Sequence, residues 1–238
     1  MTSSADQGAY RVRCEWGPDG GSLVATGADV AVVVDVCSFT TTTSVALDRG
    51  IAVIPAASRP ADVEPGVVVA GRRSEGGLSL SPGSVRRVEP PPGLVVLPSP
   101  NGSTISAALA ASVPTVLAAC LRNASAVGAW LAARPELTVA VVPAGERWPD
   151  GGLRVAVEDL WGAGAVLSTL VGEGASPEAR VAAAAFASVR PRLGDEMRAC
   201  SSGRELIGLG FADDVEVAAE LDTSTVVPML VDGVFRPA

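Results

Sequence analysis

The sequence predicts an α/β protein, a layered sheet with helices packed on it, formed by one domain over residues 1–238 with room for two lobes. Three observations predict it. Short runs of β-branched residues recur along the chain, many of them end at a polar elbow of Asp, Asn or Gly, and alanine-rich stretches of helical length follow several of those elbows. With 48% apolar residues in a chain of 238, a core can be buried without disulfides or a structural metal.

Taken in order, residues 28–36 form a nearly continuous apolar run, which predicts a strand buried on both faces. Residues 40–49 before Gly50 predict the short helix after it. Residues 51–54 and 67–70 are short strand candidates, and 94–97 is another that leads through Pro98, Pro100 and Asn101-Gly102 into an alanine-rich helix ending near Ser112. Residues 115–121 predict a strand, Asn123 opens a helix to Ala133, and residues 137–142 predict a strand ending at Ala144-Gly145-Glu146. A Pro/Gly loop is expected over 148–153 and a helix over 157–170, with Glu158 and Asp159 in its first turn. Two or three more helices are expected within 177–221. Residues 225–231 and 234–236 predict a closing hairpin around Asp232-Gly233. No repeat of fixed period is present, and Glu89 to Pro92 reads as a rigid surface loop.

Composition narrows the chemistry sharply. All 18 basic residues are arginine and there is no histidine. Ser-His-Asp and Cys-His pairs, imidazole bases, His-containing metal sites, Schiff bases and the Walker lysine are therefore excluded. Carboxylates, hydroxyls, thiols, arginine and an oxygen-held hard cation such as Mg²⁺ remain. The formal charge of -8 argues against a nucleic-acid or anionic-membrane partner. Assembly into a homo-oligomer is compatible with the sequence. Cys14, Cys37, Cys120 and Cys200 show no paired spacing, and the opening from Met1 to Gln7 lacks the basic and apolar regions of a signal peptide, so reduced thiols and a cytoplasmic setting are expected. No apolar run approaches the length of a membrane span.

Ligands of open α/β sheets bind outside the carboxyl ends of the strands. Asp35, Asn101, Asn123 and Glu146 stand at such ends and are expected to share a cleft, although Asn and Asp there also serve as plain helix caps. After Asp35, hydroxyls accumulate at Ser38, Thr40, Thr41, Thr42 and Thr43, where a helix begins with poor helix formers. Free amides and threonine hydroxyls at that start would form an anion pocket; an ordinary Ser/Thr cap is the plainer alternative. Glu158 and Asp159, facing Asp35, would complete an all-oxygen cation site, or one of the pair would only complement the helix dipole. Arg72 and Arg73 after a strand end, and Arg147 after Glu146, are candidates for an anion clamp. Cys37 lacks a neighbouring His or Lys and is expected to pack as a small apolar side chain.

With Asp35-Val36, Thr40-Thr41-Thr42, Asn101-Gly102-Ser103, Asn123-Ala124-Ser125-Ala126, Gly145-Glu146, Glu158-Asp159, Gly162-Ala163-Gly164, Val227-Pro228 and Asp232-Gly233 in this order, the chain resembles the 2-phosphosulfolactate phosphatase (ComB) family from about Val30 to Phe235. The resemblance implies a ComB-like phosphatase fold and a Mg²⁺-dependent acid phosphatase acting on 2-phospho-3-sulfolactate, a step towards coenzyme M. It departs from the family pattern at Ser38, where most members carry arginine, and over residues 71–77. The natural phosphate ester is therefore expected to differ from that substrate or to be bound with one positive charge fewer.

On this reading Asp35, Glu158 and Asp159 are both the catalytic set and the metal ligands. Ser38, Thr40, Thr41, Asn101, Gly102, Asn123, Glu146 and Arg73 hold a small phosphate ester. Attack by Asp35 itself and a purely metal-binding role for it both stay open. A phosphatase of the haloacid dehalogenase type is the nearest enzyme rival, but it wants a second Asp where Cys37 stands and a lysine the chain does not have. A binder of acidic metabolites without catalysis is the other rival.

Overall fold

The computed structural model describes residues 7–172 and 174–238. The polar opening from Met1, used above for the absence of a signal peptide, lies outside the described residues except for Gln7. The strands are β1 (Val12–Cys14), β2 (Val30–Val34), β3 (Ala52–Ala56), β4 (Val68–Val69), β5 (Leu94–Pro98), β6 (Thr115–Ala119), β7 (Val139–Pro143), β8 (Glu146–Arg147), β9 (Leu153–Arg154), β10 (Pro228–Val231) and β11 (Val234–Pro237). The helices are α1 (Gly17–Val24), α2 (Phe39–Asp48), α3 (Pro82–Arg87), α4 (Gly102–Ala110), α5 (Ala124–Ala132), α6 (Val157–Leu167), α7 (Pro177–Val189), α8 (Leu193–Ala199), α9 (Ser201–Gly208) and α10 (Ala212–Ala218).

The architecture is the expected α/β layering, organised around one mixed sheet. Among the described residues nine strands join in the order β1-β7-β2-β6-β10-β11-β3-β5-β4, and β8 and β9 form a separate hairpin. Strands β1, β7, β2 and β6 are mutually parallel, as are β3, β5 and β4. The C-terminal hairpin β10–β11 lies between these groups through three antiparallel pairings, so the two parallel halves run in opposite directions. Helix α4 packs on both halves, against β3 on one side and β2 and β6 on the other. Its first residue, just beyond the carboxyl end of β5, meets Asp35 beyond the carboxyl end of β2.

Strand β2 explains why this core is dense. Val30, Val32 and Val34 enter one apolar cluster with α5, α6 and α7, while Ala31 and Val33 enter a second with α1, α2 and α4. Each fully buried valine contributes roughly 1.5–3 kcal/mol of burial. Helix α6 is pressed close to its neighbours: a Cβ on Gly162 would lie 2.7 Å from Val36 and 2.8 Å from Val34, and one on Gly164 would collide with the backbone of Ala182 in α7. The Gly162-Ala163-Gly164 motif is thus a packing device.

Several local expectations shift. The strand expected over 28–36 stops at Val34, which leaves Asp35 just beyond its end. The loop expected over 148–153 is closed by the β8–β9 hairpin. Four helices, not two or three, fill 177–221, because Pro191 sits in a 3-10 turn and Cys200 is extended, breaking one long segment into parts. Strand β1 and helices α1 and α3 had no counterpart in the sequence reading. No helix among the described residues is long and apolar enough to cross a membrane.

Candidate active site

Asp35 is fixed by amides at the elbow between β2 and α2. Its Oδ1 accepts the N–H of Phe39 at 3.1 Å and its Oδ2 accepts the N–H of Gly102, the first residue of α4, at 2.8 Å. Burial raises its pKa above the ordinary carboxylate value, the two amides oppose that, and the charge of Glu158 adds to it. Gly102 is required here, since a Cβ would lie 2.6 Å from Phe39 and 2.7 Å from the Asp35 carboxylate. Gly102 was expected to hold the phosphate ester, but its amide is given to Asp35.

The threonine run does something other than expected. Thr40 donates to the carbonyl of Asp35 at 2.7 Å, Thr41 to that of Val36 at 2.8 Å, Thr42 to that of Leu80 at 2.9 Å and Thr43 to that of Phe39 at 2.9 Å. All four are buried, so Thr40 and Thr41 do not line an anion pocket. Their hydroxyls close backbone carbonyls at the elbow, which is how a stretch of poor helix formers is tolerated at the start of α2. Asn123 needs the same correction: it is fully buried, accepts the N–H of Cys120 at 2.8 Å and donates to the carbonyls of Ala118 and Val226 at 3.3 and 3.2 Å. It joins the end of β6 to the C-terminal segment and is not part of the cleft.

Glu158 and Asp159, in the first turn of α6, are both buried beside Asp35. Asp159 accepts the N–H of Val36 at 2.7 Å and of Gly145 at 2.9 Å, tying the ends of β2 and β7 to α6. Burial, then the charges of Asp35 and Glu158, push its carboxyl well above the usual range. Glu158 accepts no backbone amide among the described residues, and the Cys200 thiol lies against it. The three carboxylates therefore meet electrostatically, as expected. A three-carboxylate metal cage does not form, however: no group of three His, Cys, Asp or Glu side chains among the described residues is placed to hold an ion. Each oxygen of Asp159 and of Asp35 accepts one amide and keeps a further lone pair. The donor chemistry, all oxygen with uncompensated buried charge, still fits a hard cation.

In front of this group lies a cleft of about 990 Å³. Cys37 and Glu146 face it, whereas Asp35, Glu158 and Asp159 adjoin it from behind that inner wall. Glu146 in β8 accepts the Asn101 side-chain amide at 2.9 Å, so these two expected residues do come together. Its pKa is pushed up to about 7, chiefly by burial and then by the charge of Asp35, against the pull of Asn101 and Arg154. The Cys37 thiol is raised well above its ordinary value by burial and by the neighbouring carboxylates, so it stays protonated and is no nucleophile.

The outer walls carry more arginine than acid, with Glu75, paired to Arg59, and Glu205 among them. Arg59, Arg72, Arg73, Arg147 and Arg154 line the cleft, five of the 18 arginines of an acidic chain. Arg73 donates to the hydroxyl of Ser38, which brings both expected residues to the same wall. The sequence reading missed Arg59, Arg154, Trp148 and Asp214. A charged residue two places beyond Gly151-Gly152 was the available signal for Arg154; Asp214, inside an acidic helical stretch, gave none.

A family model described as 2-phosphosulpholactate phosphatase matches residues 22–233. A protein of Methanothermobacter thermautotrophicus named 2-phosphosulfolactate phosphatase is 33% identical over 216 residues, covering 87% of this chain and 89% of that one. Proteins named "Probable 2-phosphosulfolactate phosphatase" from Deinococcus radiodurans and Thermotoga maritima are 33% and 30% identical over 229 and 214 residues, covering 88% and 86% of this chain and 91% and 90% of theirs. Matches of this extent, on a layered α/β fold with an acidic centre and arginine walls, define the class as phosphoric monoester hydrolase. Within that class, the chain belongs to the 2-phosphosulpholactate phosphatase family.

Proposed function

We propose that the chain hydrolyses the phosphate ester of a small acidic hydroxy acid, of the 2-phospho-3-sulfolactate type, with Mg²⁺ held beside Asp35 and Glu158. The observation that carries this reading is the placing of charge about one cleft: five arginines against two glutamates on the outer walls, and Glu146 at the inner end with Asp35, Glu158 and Asp159 close behind it. Arginine forks suit phosphate, sulfonate and carboxylate groups, and the names of the relatives point to an ester carrying all three.

The residues divide the work as follows. Arg73, with Ser38 against it, receives the acid tail. Asn101 holds Glu146 toward the cleft. The bond from phosphorus to the ester oxygen breaks as water attacks phosphorus; the protonated Glu146 carboxyl gives its proton to the departing alkoxide and regains one from the attacking water. Asp35, with both oxygens in amide hydrogen bonds, serves as an anchored ligand and not as the attacking group. Mg²⁺, when bound, would neutralise phosphate oxygens and offset the repulsion among the carboxylates, keeping several of its waters as this ion does.

Phosphate release from 2-phospho-3-sulfolactate, 2-phospholactate, 3-phosphoglycerate and phenyl phosphate, with and without chelator, tests the proposal. Release from the first two, abolished by chelator and restored by Mg²⁺, is expected. Asp35→Asn should lose the Mg²⁺ response. A rise in melting temperature with the esters but no phosphate release would replace the enzyme by a metabolite binder.

A further inference from the structure

Arg73 does not stand free on the cleft wall. Its Nε donates to Asp214 Oδ2 at 3.1 Å, its Nη2 donates to the Ser38 hydroxyl and to the carbonyl of Leu80 at 3.3 Å, and its guanidinium lies 5.7 Å over the ring of Phe211. Nη1 has no partner among the described residues, and the side chain keeps 22% of its exposure on the cleft. The fork is thus held along one edge and offered along the other. Asp214, in α10, is 3% exposed and is itself held: it also accepts the Ser81 hydroxyl at 2.5 Å and the Gly83 N–H at 3.1 Å. A buried carboxylate that accepts two bonds from the start of α3 besides the one from Arg73 cannot follow a moving arginine, so it fixes where the arginine sits.

We propose that Asp214 is a positioning residue that aims Arg73 Nη1 at the anionic tail of the substrate, coupling the C-terminal helices to substrate affinity. The proposal rests on the reading of Arg73 as receiver of that tail. An arginine held in place in advance loses less freedom on binding, so the effect belongs in KM and not in kcat. A lysine at position 73 would keep the charge but has a single ammonium for Asp214 and the ligand to share.

The test measures KM and kcat for 2-phospho-3-sulfolactate in the full chain, with melting temperatures alongside, for Arg73→Ala, Asp214→Asn, the double variant and Arg73→Lys. Arg73→Ala should raise KM about tenfold with kcat within about twofold, and Asp214→Asn should raise KM several-fold in the same pattern. The double variant should match Arg73→Ala within about twofold, because the second change then has nothing left to aim. Arg73→Lys should raise KM nearly as far as Arg73→Ala; this arm leaves Asp214 untouched and stands even if Asp214→Asn does not fold. An Asp214→Asn variant with lowered melting temperature but unchanged KM, independent multiplication of the two effects, or a wild-type KM in Arg73→Lys overturns the positioning role. An unchanged KM in Arg73→Ala, or no turnover by the wild type, overturns the reading of Arg73 itself.

Discussion

Glu146 shows what a single side chain contributes to the proposed chemistry. A carboxyl of ordinary pKa 4.5 would be ionised throughout the neutral range, but burial and the nearby charge of Asp35 move it to about 7, so it holds a transferable proton there. The acid form falls as pH rises through that value. For a general acid, kcat/KM, which reports the free enzyme, should therefore be flat below about pH 6 and decline above about pH 7. Glu146→Gln, which keeps the hydrogen bond from Asn101 but has no proton to give, should lower kcat about a hundredfold and erase the alkaline decline. A variant that keeps the wild-type pH profile would remove Glu146 from proton transfer. At this scale the sequence was legible where chemistry follows from residue type and strand ends: Asp35, Glu146, Glu158 and Asp159 do gather. It was illegible for Thr40, Thr41 and Asn123, whose polar atoms go to backbone carbonyls and amides. Spacing alone does not reveal which backbone groups need a partner.

Elements position these residues through close approaches that only glycine permits. The start of α4 delivers the Gly102 amide to Asp35 because no side chain intervenes. Gly102→Ala would press a methyl onto both Phe39 and the carboxylate, and either the helix or Asp35 must move. We expect a loss of about 1–3 kcal/mol in stability, as for other overpacked sites, together with at least a tenfold drop in kcat. Urea unfolding and steady-state rates on the same preparation would check both; a stable variant of normal activity would show that the amide clasp does not govern the site. The buried β2 run and the Asp232-Gly233 turn were readable from sequence, the latter because two residues of positive φ, at 50° and 77°, suit a tight hairpin. Helix α1 was not readable. Gly17-Pro18-Asp19-Gly20-Gly21 carries loop chemistry, and the helix exists because Gly21 lets it lie on Val142, where a Cβ would come within 2.6 Å. There tertiary packing overrides local propensity.

The molecule as a whole is arranged so that the ends of β2 and β7, with α6, gather the acidic groups at one point, and the opposed half of the sheet meets them there with Asn101 and the Gly102 amide after β5. The reversal between halves depends on inserting the last hairpin between β6 and β3, a long-range pairing that no local pattern announces. Its consequence is electrostatic. In a chain of net charge -8, Asp35, Asp159 and Glu146 all have pKa values raised on folding, with burial as the first cause in each. Between their ordinary values and the raised ones the folded state binds more protons than the unfolded state, so stability falls as pH rises through that window. For Glu146 the window runs from 4.5 to about 7, and for the two aspartates it begins at 3.8 and extends upward. Glu216, lowered by Arg198, acts in the opposite sense but only below its ordinary 4.5, so measurements between pH 5 and pH 8 separate the two. The cation-free chain should melt at a higher temperature at pH 5 than at pH 8. Mg²⁺ should raise the melting temperature at pH 8 much more than at pH 5, because it competes with protons for the same oxygens; at about 100 times its dissociation constant the gain approaches ~2.7 kcal/mol. Melting curves across this range after chelation, with and without added Mg²⁺, decide the matter: a pH-independent melt that Mg²⁺ leaves unmoved would mean that the buried carboxylates are balanced within the fold and need no cation.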